Sequence, residues 1–252
     1  MPKQDEYTPQ HLVPYGLFAT RKWLKTKGVE RHTLDNWVKS KQLVSVAQGV
    51  YIRPDTKLTW EGVVCSLQRI GYDLSAGGLT ALNLLNLSHY LELGNTTTIH
   101  LYGHKSLPSW INKLVDNVKF ARHKILFKQP IALRQAPSLE QLTISSAEQA
   151  WFEVLLDIPD KLSFEHADKL MQGLVNLSPK RLNMLLEECN NVKVRRLFLW
   201  FAERHQHAWF KKVDTERFTM DSGLLGSGKR MLAKNGKLDI KYLITVPEGM
   251  HE

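Results

Sequence analysis

The sequence predicts an α+β protein with an N-terminal winged helix-turn-helix, a mixed α/β middle region and a mostly helical C-terminal domain. Three observations carry this. Two short helix-forming segments meet at Gly28-Val29 and run into two β-rich stretches between Leu43 and Ile52. Helical and β-rich segments then alternate, and from Pro137 onward the apolar periodicity is almost wholly helical. The expected division is therefore 1–57, 58–136 and 137–252.

Pro2, Pro9 and Pro14 leave room in the first nineteen residues for only a short helix, around Pro9 to Val13 or Gly16 to Ala19. Thr20 is placed to cap the next helix, whose apolar face begins at Trp23 and Leu24, and Gly28 supplies the turn that a helix-turn-helix needs. In the second helix Leu34, Trp37, Val38 and Lys41 fall at i, i+3, i+4 and i+7, the Lys stem finishing the stripe. His32, Asn36 and Lys39 then share the opposite face, and Asn and His are groups that reach base edges. Leu43, Val44 and Val46, a turn at Ala47-Gln48-Gly49, and Val50, Tyr51 and Ile52 predict a hairpin that serves as the wing.

Charge agrees with a nucleic-acid partner. Residues 1–57 hold ten Lys/Arg against five acids, about half of the chain's net charge of +9. Arg21 and Lys22 begin one helix, Arg31 begins the next, and Arg53 ends the wing, positions where phosphates flank a groove. The candidate DNA-binding set is Arg21, Lys22, Arg31, His32, Thr33, Asn36, Lys39, Gln48 and Arg53. A solvated basic surface on a small helical domain is the plainer alternative, and the hairpin with its Gly turn weighs against it.

No run approaches eighteen apolar residues and the first residues lack the apolar stretch of a signal peptide, so a cytoplasmic protein with no membrane association is expected. Cys65 and Cys189 have no near partners for a zinc site or redox pair and read as buried thiols. After the turn-rich Pro54-Asp55-Thr56-Lys57, Thr59 caps a helix through Ile70 that Gly71 ends. A helix over Leu79 to Leu87, strands over Thr96 to Tyr102 and within Phe120 to Phe127, and a short helix opening at Leu107-Pro-Ser-Trp110 complete the middle region.

The C-terminal part reads as helices from Ser145 or Ser146 to Asp157, Phe164 to Leu174, Pro179 to Cys189 and Val192 to His207, then a strand over Asp239 to Val246. Residues 192–252 carry twelve Lys/Arg and seven acids, a second basic excess.

Trp60-Glu61-Gly62, Leu67-Gln68, Gly77-Gly78-Leu79-Thr80-Ala81-Leu82, His89-Tyr90-Leu91, Leu101-Tyr102-Gly103 and Leu107-Pro108-Ser109-Trp110 follow one another as ordered blocks. Val192 to Leu199, Leu225 to Arg230, Gly236-Lys-Leu and Tyr242 to Pro247 continue them. In this the chain resembles the AbiEi antitoxins of type IV toxin–antitoxin and phage-abortive systems. The resemblance implies a repressor of its own operon that binds inverted repeats in double-stranded promoter DNA. It also implies an antitoxin against an AbiEii-type nucleotidyltransferase toxin, with no stable complex required. The residues themselves support only DNA binding; a nucleic-acid-acting enzyme and a protein-interaction adaptor are the rival classes.

Other motifs carry less chemistry. Gly223 to Lys229 satisfies G-x-x-x-x-G-K, but Arg230 stands where a phosphate-binding loop needs Ser or Thr for magnesium, and no apolar strand precedes it. The resemblance implies a turn of the antitoxin fold there. Lys229, Arg230, Lys234 and Lys237 form a possible second basic surface. His205 and His207, two apart at a helix end, are not expected to face one another and read with Arg204 as surface residues. His100 and His104 flank a strand end without a Cys or acid pair nearby, and Glu187-Glu188 point apart on a helix. No catalytic constellation, metal site or cofactor is expected. Trp200 and Trp209-Phe210 lie off the Leu197/Phe201 stripe, which leaves aromatic surface for another element or a partner.

Overall fold

The computed structural model describes residues 8–88, 96–127, 132–136, 141–219 and 222–251. His89-Tyr90-Leu91 and the boundary residue Pro137 lie outside them. The chain forms two compact units, Met1–Ser75 with Glu92–His123 and Leu139–Thr143, and Ala76–Leu91 with Lys124–Ser138 and Ile144–Glu252.

The first unit opens with α1 (Pro9–Leu12), capped by Thr8 with Pro9 at its first position, which settles the first helix on the earlier of the two expected stretches. Gly16 to Ala19 is not helical. Instead Ala19–Thr20 is β1, a strand too short for any periodicity to betray. Thr20 then caps α2 (Arg21–Thr26), its Oγ1 accepting from Trp23 N at 3.3 Å. Gly28 takes φ 85°, which L side chains seldom adopt, and turns the chain into α3 (Arg31–Lys39).

β2 (Val44–Ala47) and β3 (Val50–Ile52) follow, and the three strands pair antiparallel in the order β1-β3-β2. Ala19 faces Tyr51, and Ser45 faces Tyr51 from the other side. The two-residue turn Gln48-Gly49 places Gly49 at φ 71°. Leu12, Leu24, Leu34, Trp37, Leu43 and Tyr51 bury together beneath the helices. Each aliphatic one stabilises by about 1.5–3 kcal/mol. Lys41 does not finish the α3 stripe: the helix stops at Lys39, and Lys41 sits exposed at φ 58°.

α4 (Trp60–Arg69) starts at the Thr59 cap, where Oγ1 accepts from Gly62 N at 3.2 Å, and buries Val63, Val64 and Leu67. Its Ser66 hydroxyl accepts from Phe18 N at 2.9 Å, joining α4 to the segment before β1. Gln68 explains its place in the Leu67-Gln68 block: its amide donates to Leu74 O and Thr143 O (3.0 and 2.8 Å) and accepts from Thr143 N (3.0 Å). Leu74 begins β4 (Leu74–Ala76), a strand that sequence reading did not include. β5 (Thr97–Gly103) and β6 (Val118–His123) pair in parallel, Thr97 with Val118 through Tyr102 with His123. Between them lies a 3-10 turn at Ile111–Lys113, one residue beyond the expected helix start at Leu107-Pro-Ser-Trp110.

In the second unit α5 (Gly78–Leu84) is shorter than the expected Leu79 to Leu87. Two more unexpected strands follow, β7 (Leu133–Gln135) and β8 (Thr143–Ser145), with Ala76 of β4 paired in parallel to Ile144. The division between units falls within β4 and within β8. Ser146 caps α6 (Ala147–Leu155), which is followed by α7 (Phe164–Gly173), α8 (Pro179–Glu188) and α9 (Val192–His205).

β9 (Lys237–Asp239) and β10 (Ile244–Val246) pair antiparallel, so the expected single strand over Asp239 to Val246 is broken by a turn. Trp151, Phe152, Phe198, Phe201 and Trp209 fill one core with Leu182, Leu185 and Leu197. Trp200 belongs to it as well, and Trp209 Nε1 donates to Leu174 O at 2.8 Å. Most of this aromatic surface is core.

One buried carboxylate organises the Gly77-Gly78 block. Glu153 of α6 accepts from Gly78 N (2.8 Å), Gln149 Nε2 (2.9 Å) and Ser145 Oγ (3.0 Å). Burial pushes it up to about 7, against the pull of these three donors.

Candidate nucleic-acid interface

The candidate interface centres on α3. Leu34 and Trp37 anchor its inner side, and His32, Asn36 and Lys39 are exposed on the other. Spaced at i, i+4 and i+7, they form one polar face about two turns long. Asn36 holds the helix end through its carbonyl, which accepts from Ser40 Oγ at 2.8 Å, and its side-chain amide is exposed. Thr33 is half-buried, its Oγ1 3.3 Å from His32 Nε2, a contact that orients the imidazole.

The expected phosphate contacts differ in how they are held. Arg21 and Lys22 are exposed at the start of α2. Arg21 Nη2 donates to Tyr51 Oη at 3.2 Å, and its backbone N donates to Gly49 O at 2.8 Å, so the start of α2 is fastened to the wing turn that carries exposed Gln48. The Arg53 guanidinium lies 4.0 Å from the ring centre of Tyr15 and donates to its hydroxyl at 3.1 Å, while Tyr15 itself is 62% exposed. Arg31 is different. Its Nε is 3.8 Å from Asp35 Oδ2, an exposed pair that offsets part of its charge.

Tyr15 and Tyr51 were not singled out from sequence. The signal for Tyr51 is its register opposite Ala19, two residues before Arg21, which requires knowing β1 first.

Arg21, Lys22, Lys25, Gln48, Gly49 and Val50 also line an open cleft of about 430 Å³ whose remaining walls are Thr20 and Trp110. In a second cleft of about 710 Å³, Arg69 lies 4.6 Å from the Trp23 ring centre and donates to Leu12 O at 2.7 Å. That guanidinium is committed to holding α4 against α1.

The second basic stretch lies in the other unit. Lys229, Arg230, Lys234 and Lys237 are all exposed, and Lys237 Nζ is 3.2 Å from Glu248 Oε1. The G-x-x-x-x-G-K segment there has the reverse polarity of a phosphate loop. Its carbonyls converge on the fully buried Arg196, whose guanidinium donates to Leu225 O (2.8 Å), Gly226 O (3.0 Å), Gly228 O (2.7 Å) and Leu243 O (3.2 Å). A phosphate loop points N–H groups inward at an anion; this one wraps its oxygens around a cation.

His205 and His207 do face one another, with rings stacked at 5.7 Å between centres. The reason is that α9 ends at His205, and Gln206, at φ 49°, turns the chain back. Both are half-buried and held in place: His205 Nε2 lies 2.7 Å from Asp168 Oδ1, which also accepts from Arg204 Nε at 3.1 Å, and His207 Nε2 lies 2.8 Å from Met171 O. His100 gains a neighbour that sequence spacing hides, His123 on the paired strand, at 2.9 Å between Nδ1 and Nε2. Cys65 and Cys189 are both buried and free, and burial pushes the Cys189 thiol up to about 11, away from reactivity. Among the described residues no helix is long and apolar enough to cross a membrane.

Two helices joined by a tight turn, a three-stranded wing and an exposed polar second helix define a winged helix-turn-helix domain. A family model described as an AbiEi antitoxin N-terminal domain of transcriptional regulators matches residues 8–93, and one described as "Transcriptional regulator, AbiEi antitoxin, Type IV TA system" matches residues 96–247. The chain belongs to the AbiEi antitoxin family of transcriptional regulators of type IV toxin–antitoxin systems. No curated protein matches it.

Proposed function

We propose that this protein represses its own toxin–antitoxin operon by binding inverted repeats in the promoter, and that it counters an AbiEii-type nucleotidyltransferase toxin without forming a stable complex with it. The observation that carries the first half is the exposed face of His32, Asn36 and Lys39 on α3, set over a buried Leu34–Trp37 anchor and accompanied by the cations of α2 and the wing. Asn36 reads a base edge, adenine being the base whose N6 and N7 match a carboxamide in two hydrogen bonds. Arg21, Lys22, Arg31 and Arg53 contact phosphates, and Lys39, Gln48, His32 and Thr33 complete the contact set. Family membership supports the second half.

The test is fluorescence anisotropy with a duplex from the protein's own promoter and a random duplex of equal length. Asn36→Ala should cost about 1–3 kcal/mol on the promoter and little on random DNA. An equal loss on both duplexes removes Asn36 from the specificity set. Failure of the wild-type protein to prefer its promoter refutes the repressor reading.

A further inference from the structure

The cleft between α2 and the wing turn has an unexpected wall. Thr20, Arg21, Lys22 and Lys25 line one side, Gln48, Gly49 and Val50 another, and Trp110 comes from a segment more than fifty residues beyond the wing. Arg21, Lys22 and Lys25 are exposed, and none of the three makes an ion pair among the described residues. Three cations with no ion pair among the described residues, set around one concavity, call for a polyanion. Trp110 is half-buried, set edge-on to Phe18 at 5.4 Å between ring centres, and its indole N–H makes no hydrogen bond among the described residues. Arg21 is aimed by Tyr51 rather than left loose. A cleft of about 430 Å³ with cations on one side and an indole on the other has the chemistry of a sugar-phosphate seat.

We propose that this cleft holds one backbone strand of duplex DNA, with phosphate oxygens among Arg21, Lys22 and Lys25 and deoxyribose against Trp110. A residue from outside the winged module then takes part in DNA binding, and so does Lys25. This rests on the DNA-binding reading above. Because the contact is with backbone, it adds affinity to every duplex and carries no base preference.

The experiment uses the full chain labelled with 5-fluorotryptophan, the Trp110 fluorine signal being assigned by Trp110→Phe, which keeps a ring against Phe18. Promoter duplex, random duplex and a single strand are titrated in separately, with anisotropy run in parallel. The expected result is a shift of the Trp110 signal with both duplexes at the concentrations where anisotropy reports binding. Trp110→Leu should weaken both complexes about fivefold with the salt slope unchanged. Lys25→Ala should lower that slope by up to about 0.9. Lys25 is exposed, so this variant keeps the proposal testable if Trp110→Leu fails to fold.

A Trp110 signal that stays still while the duplex binds overturns the seat and leaves the repressor reading standing. A shift with single-stranded DNA alone overturns it too, as does an unchanged slope in Lys25→Ala. If the wild-type chain binds neither duplex, the repressor reading fails as well.

Discussion

Replacing Arg196 by methionine keeps a long side chain in a fully buried site and removes every hydrogen bond the guanidinium makes. The carbonyl oxygens of Leu225, Gly226, Gly228 and Leu243 lose the guanidinium at once, Leu243 O keeping the Arg230 N–H at 2.8 Å. A hydrogen bond from a charged donor is worth about 1.5–3 kcal/mol, so the gross loss is about 6–12 kcal/mol. Several kcal/mol return because a guanidinium need no longer be buried. The net expectation is about 3–5 kcal/mol, a large part of the roughly 5–15 kcal/mol that holds a domain folded. Arg196→Lys should fall between, since three donors on one nitrogen cannot span four carbonyls that a planar five-donor fork reaches. Urea unfolding followed by circular dichroism gives the free energies, and amide exchange over residues 222–230 and 243–246 localises the change. A loss below about 1 kcal/mol with unchanged exchange would refute the reasoning, because it would mean that water replaces the guanidinium at no cost.

Replacing Arg21, Lys22, Arg31 and Arg53 together by Ala should lower the slope of log affinity against log salt, by up to about 0.9 for each lost phosphate contact. Among the single variants Arg31→Ala should move it least, given Asp35 beside it; an unchanged slope in the quadruple variant would place the DNA surface elsewhere. Glu153 is held at about 7 in the fold against an ordinary value of 4.5. The stabilising effect of its uncharged form is therefore complete below pH 4.5 and is lost as pH rises through 7, about 3 kcal/mol in all. Glu153→Gln should flatten that part of the urea-midpoint curve, and a wild-type and variant pair with parallel curves from pH 4.5 to 8 would contradict it. If repression and neutralisation are separate tasks, Asn36→Ala should lose promoter repression while still protecting cells that express the cognate toxin. Point variants suit this test because Phe18 leans on Ser66 and Trp110, so truncation at residue 57 disturbs more than the proposed DNA surface. Loss of protection with intact repression would refute the separation.

The sequence by itself determined the elements whose causes are local. Thr20, Thr59 and Ser146 cap helices through bonds to N–H groups three residues ahead, and the Leu34/Trp37 spacing sets which side of α3 is buried. The same spacing exposed His32, Asn36 and Lys39, so the polar face of α3 was legible before any fold was known. What only the tertiary structure decided involves partners far apart in the chain. β1, β4 and β8 are two or three residues long and exist because another strand pairs with them, so no periodicity announces them. Lys41 leaves the stripe because the helix stops two residues earlier. The mutual approach of His205 and His207 depends on a left-handed residue between them. Tyr51 aims Arg21 across 30 residues, Arg196 gathers carbonyls about 30 and 47 residues away, and Trp110 reaches the wing from the middle of the chain. Hydrogen bonds and packing over three or four residues follow from spacing alone, whereas these contacts exist only once the chain has folded and brought their partners together.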